Sequence, residues 1–65
     1  MMPPRSARII ARRYLREALA AGYATEALAT DYASEAMKNA GMDEDTAEAA
    51  VAQVWREDFG IMGAI

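Results

Sequence analysis

Five arginines, Arg5, Arg8, Arg12, Arg13 and Arg16, fall within the first 22 residues, where Glu17 is the one acidic side chain. Guanidinium groups are planar, permanently charged donors, so the chemistry such a cluster offers is recognition of carboxylates or phosphates. Residues 23–65 reverse the sign, with nine acidic side chains against Lys38 and Arg56. The formal net charge of −3 thus joins a segment of +4, five arginines less one glutamate, to one of −7, nine acids less two bases. Like charges grouped on one stretch attract an oppositely charged surface, whether nucleic acid, an acidic protein or another copy of the chain.

Bond-making chemistry finds few candidates. The chain has no cysteine and no histidine, so thiolate and imidazole nucleophiles, bases and metal ligands are absent from its composition. Ser6 and Ser34 have no evident activating partner. Asp31 and Glu35 sit four apart and share a helical face, yet nothing in a short helical chain supplies the cleft that would separate two carboxylates into acid and base. Gly60 and Gly63 lack the lysine and the strand-to-helix context of a phosphate loop. Asp43, Glu44 and Asp45 are adjacent, whereas a calcium loop spreads its oxygen ligands over about twelve residues around a central glycine. We therefore expect no catalytic residue, no metal and no cofactor.

The elements that must carry these side chains read as three helices. Apolar residues recur with the helical period in three segments, each closed by glycine. The first is expected over 6–21, capped by Ser6 behind the extended Pro3 and Pro4 and ended before Gly22. The second is expected over 25–40 with Thr25 as cap, ending before Gly41. The third is expected over 45–59, capped by Asp43 or by Asp45, the latter with Glu48 three residues on as a variant capping box. On helical wheels the stripes are Ala7, Ile10, Ala11, Tyr14, Leu15, Ala18 and Leu19; then Leu28, Tyr32, Ala33, Ala36, Met37 and Ala40; then Ala47, Ala50, Val51, Val54, Trp55 and Phe59. Short glycine-containing loops bring consecutive helices together, and the expected fold is all-α, a compact three-helix bundle forming one domain over residues 1–65.

At 65 residues the core is small and the expected stability margin narrow, with helix propensity, a partner or self-association supplying the remainder. No run approaches the roughly 18 consecutive apolar residues of a membrane span, and the N-terminal stretch lacks the continuous apolar segment of a signal peptide. The expected setting is cytoplasmic, with no membrane partner.

The first helix holds the candidate site. Its positive residues Arg5 and Arg8 lie at the end where the helix dipole disfavours them, so stability alone does not select them. Arg5, Arg12 and Arg16 fall within about 40° of one another on the wheel, flanked by Arg13 and Ile9. Ile9 is the one large aliphatic residue of this helix directed into the arginine face. An aliphatic knob among guanidinium groups has the make-up of a binding hot spot, and Arg5, Ile9, Arg12, Arg13 and Arg16 are the expected protein-binding residues. The plainer alternative is a solvated face pairing with the acidic helices of the same chain.

Nucleic acid is the weaker expectation. The second and third helices present Glu26, Asp31, Glu35, Glu48, Glu57 and Asp58, which repel phosphate and would leave the first helix to bind nearly alone. Those same acids allow the converse reading, an acidic mimic of a nucleic-acid backbone. The apolar tail 60–65 contributes Ile61, Met62 and Ile65 as a second possible contact, either folded over Trp55 or offered to a partner. Taken together, the sequence points to a small stoichiometric protein-binding module, an inhibitor or adaptor of a larger macromolecule, with a homodimer among the arrangements it allows.

Overall fold

Proline rather than serine opens the first helix. The computed structural model describes residues 3–60, and in it Pro4 holds φ −64° and ψ 155° in the cap position without any side-chain hydrogen bond. Its carbonyl accepts from the Arg8 N–H at 3.2 Å. Pro4 has no N–H of its own to satisfy and its restricted φ suits a helix start, so the chain is helical from Arg5 and Ser6 lies exposed within the first turn rather than capping it. Helix α1 accordingly spans Arg5–Ala20, one residue earlier at each end than expected.

Both turns between helices end the preceding helix in the same way. Gly22 N–H donates to Leu19 O at 3.1 Å and Tyr23 N–H to Ala18 O at 2.9 Å; Gly41 N–H donates to Lys38 O and Met42 N–H to Met37 O, each at 3.0 Å. This paired 5→2 and 6→1 pattern is the Schellman motif, and it requires a left-handed residue at its centre. Gly22 and Gly41 supply it with φ of 99° and 101°. Each turn then hands over to a side-chain cap. Thr25 Oγ1 accepts from Leu28 N–H at 3.2 Å and starts α2, Glu26–Asn39. Asp43 Oδ2 accepts from Thr46 N–H at 3.1 Å and starts α3, Glu44–Val54. Of the two aspartates the sequence allowed, Asp43 is the cap, and Asp45 sits inside the first turn, where its charge complements the helix dipole.

The three helices pack on one another around one core, an all-α three-helix bundle measuring 31 × 22 × 16 Å. Its buried residues are Ala7, Ala11, Leu15 and Ala18 of α1, Ala29, Ala33 and Met37 of α2, and Ala47, Ala50, Val51 and Val54 of α3. Seven of these eleven are alanines, so helix backbones meet across methyl groups, and Tyr14, Leu19, Tyr32, Met42, Trp55 and Phe59 close the margins. No helix among the described residues is long and apolar enough to cross a membrane.

The stripe of α3 is the one the wheel gives, and those of α1 and α2 are turned slightly from it. Ile10 remains 37 % exposed and Leu28 51 %, and Ala40 is exposed, whereas Ala29 and Ser34 are buried. Large side chains drew the expected α2 stripe toward Leu28, but the helix packs through the small residues on the neighbouring face. Ser34 can be buried there because its hydroxyl donates to Asp31 O at 3.2 Å, so no polar group is left unsatisfied.

The expected third helix also changes geometry before its end. From Trp55 to Phe59 the backbone is π-helical, and Gly60 N–H reaches back five residues to Trp55 O. A Cβ at residue 60 would stand 3.3 Å from that carbonyl, so glycine permits the close return. The wider turn keeps Trp55 and Phe59 both against the core, their rings stacked with centroids 5.5 Å apart and planes 14° from parallel. The tail residues Ile61, Met62 and Ile65 lie outside the described residues.

Candidate functional site

Helix α1 is one regular rod, and its period sets Ile9 opposite the buried Ala7, Ala11, Leu15 and Ala18. Ile9 is 52 % exposed, the most exposed of the large apolar side chains among the described residues. Arg5, Arg13 and Arg16 are exposed around it and enter no ion pair among the described residues. Ile10, about 100° round the helix from Ile9 with Arg13 between them, is 37 % exposed at the margin of the core stripe.

Arg12 behaves differently from its neighbours. Its Nε donates to Asp58 Oδ2, both side chains being about one-third exposed, which ties α1 to the π-helical turn. Arg8 is half-buried, and its Nε is enclosed with no hydrogen-bond partner. The cluster therefore divides: Arg12 pairs within the bundle, Arg8 leans into its side, and Arg5, Arg13 and Arg16 face outward with Ile9.

Across the bundle lies a surface of opposite sign. A shallow groove of about 330 Å³ runs between α2 and α3, with the buried Ser34 and Val51 at its base and Glu26, Ala27, Asp31, Glu48 and Ala52 exposed along it. Lys38 lies 2.9 Å from Glu35 and 3.9 Å from Glu48, one of the carboxylates lining the groove. Its hydrogen bond to Glu35 raises the ammonium pKa above the ordinary 10.5; desolvation opposes the rise, and the charges of Glu35, Glu44 and Glu48 add to it. A second hollow, between the start of α2 and the π-helical turn, is lined by Thr25, Glu26, Trp55 and Arg56.

Among the described residues no group of three or more His, Cys, Asp or Glu is placed to hold a metal ion. The Ser34 hydroxyl donates to the backbone, and Asp43 caps α3. Sequence reasoning missed one feature, an aromatic pair at the α1–α2 turn: Tyr23 is 41 % exposed and its ring lies 5.1 Å from that of Tyr32. The nine-residue spacing of the two tyrosines carries no periodic signal, since the turn between them breaks the helix.

In comparison with known proteins, no family model matches the chain, and no curated protein and no solved structure matches it.

Proposed function

We propose that this chain is a small stoichiometric protein-binding module that docks through the outer face of α1 on an acidic protein surface. The carrying observation is the division among the arginines: Arg12 is engaged by Asp58, while Arg5, Arg13 and Arg16 surround a half-exposed Ile9. Arg5 opposes the dipole at the start of α1, and the exposed half of Ile9 gains nothing from burial within the chain, so stability alone selects neither. A partner with carboxylates around an apolar recess would satisfy both. Scale suits an inhibitor or adaptor that covers part of a larger macromolecule.

The signs of charge also bear on the class of partner. Two α1 faces meeting across a two-fold axis would set arginines against arginines, whereas an acidic surface pairs them. Nucleic acid offers the right charge, but the carboxylates of α2 and α3 restrict it to α1 and to backbone contacts without base reading.

The test is affinity capture from native extract with the wild-type chain, Ile9→Asp and Arg13→Glu. Both variants should keep wild-type helicity by circular dichroism. Each should lose the captured protein by about 30-fold or more in affinity, the scale of a hot-spot residue at about 2 kcal/mol. A partner retained equally by Ile9→Asp would falsify the α1 reading. Binding of random duplex at low salt, weakening steeply as salt rises, would instead move the function to nucleic acid.

A further inference from the structure

We propose that the acidic surface met by α1 is the α2–α3 groove of a second copy of this chain, so that copies associate head to tail. The inference rests on the α1 reading above and names its partner. In a three-helix bundle whose helices each touch the other two, the outer face of one helix and the groove between the remaining pair lie on opposite sides. Here those opposite sides are complementary in charge and in shape. The α1 side offers Ile9 amid Arg5, Arg13 and Arg16; the groove offers the carboxylates of Glu26 and Asp31, with Glu48 beside Lys38, among small side chains, Ala27, Ser34 and Ala52. An isoleucine knob can seat between the small side chains of Ala27 and Ala52 as in knobs-into-holes packing, and its flanking guanidinium groups then reach the groove's carboxylates.

Because donor and acceptor surfaces are different patches, this contact is heterologous. Such a contact does not use itself up on dimerisation: each added copy leaves one free α1 and one free groove, giving open chains or rings. This distinguishes it from a two-fold dimer built on α1 alone.

The experiment is analytical ultracentrifugation of the purified chain across a concentration series at low and moderate salt. The expected result is a weight-average mass that climbs with concentration beyond twice the 7.1 kDa of one chain, and falls on adding salt. Two variants each disable one side: Ile9→Asp on α1, and the double change Asp31→Lys with Ala52→Arg in the groove, both at exposed sites. Each variant alone should be monomeric with helicity retained. Mixed in equal amounts, they should form a complex that stops at two chains, because the groove of the first accepts the α1 face of the second.

A wild-type chain that stays monomeric at low salt, a mass that levels at two chains, or a mixture of variants that fails to associate overturns the proposal. A monomeric wild type that still captures an acidic protein through Ile9 sinks the self-docking and leaves the α1 reading standing. Loss of that capture dependence sinks the α1 reading itself.

Discussion

Arg12 and Asp58, 46 residues apart in the chain, form an ion pair in which the guanidinium of α1 holds the π-helical turn that continues α3. Both side chains are partly solvated, which limits what the pair contributes. A double-mutant cycle with Arg12→Ala and Asp58→Asn should give a coupling of about 0.5 kcal/mol, declining with salt. A coupling indistinguishable from zero at low salt would separate the turn from α1.

The register of α2 is open to a direct comparison. Met37 is fully buried and Leu28 is 51 % exposed, although periodicity alone puts both on the core stripe. Met37→Ala should cost about 2–5 kcal/mol in chemical denaturation, a large share of what a domain of this size has. Leu28→Ala should remain within about 0.5 kcal/mol. Equal losses at the two sites would contradict the observed rotation of the helix.

At Gly22 and Gly41 the cost of a side chain is conformational. A Cβ added at either position meets nothing within 4 Å, so only the positive φ opposes it. Alanine at each site should destabilise by about 1–2 kcal/mol, and asparagine, which tolerates that region, by less. A neutral Gly41→Ala would show that the second helix can end without its left-handed residue.

Lys38 gives the stability of the bundle a dependence on pH. Its pKa is raised in the folded state, chiefly by the hydrogen bond to Glu35. The sign follows from linkage: a raised folded pKa means the stabilisation is fully present below the unfolded value and is lost as pH rises through the folded one. The stability difference between wild type and Lys38→Met should therefore be flat from neutral pH up to about 10, then shrink in the alkaline range. A difference that shrank between neutral pH and about 9 would mean another group carries the effect.

Much of this architecture can be read from glycine, threonine and aspartate. Gly22 and Gly41 mark the two Schellman turns, Thr25 and Asp43 the caps, and the α3 stripe from Ala47 to Phe59 is read correctly by period. The rotation of the α1 and α2 stripes escaped reading because the core residues are small. Hydrophobic patterning weights Ile10 and Leu28 above Ala29 and Ser34, yet in α2 the face that admits a neighbouring helix is the one with the least side chain. The Ser6 cap was displaced because Pro4 opens the helix without one. The π-helical turn has no periodic signature, being visible only in the return of Gly60 to Trp55. At the candidate site, the outward position of Ile9 followed from counting residues around the helix. The separation of Arg12 from Arg5, Arg13 and Arg16 did not, because it depends on Asp58 being carried to α1 from the far end of the chain.

A core made mostly of alanine inverts the usual pattern of substitution tolerance. In most domains the bulky interior residues are the constrained ones and exchange among themselves; here positions 7, 11, 18, 29, 33, 47 and 50 are held to the smallest side chains, because an added methyl group at any of them must push two helices apart. Distant cousins of this chain, if they keep its shape, should be recognisable by where they refuse to grow.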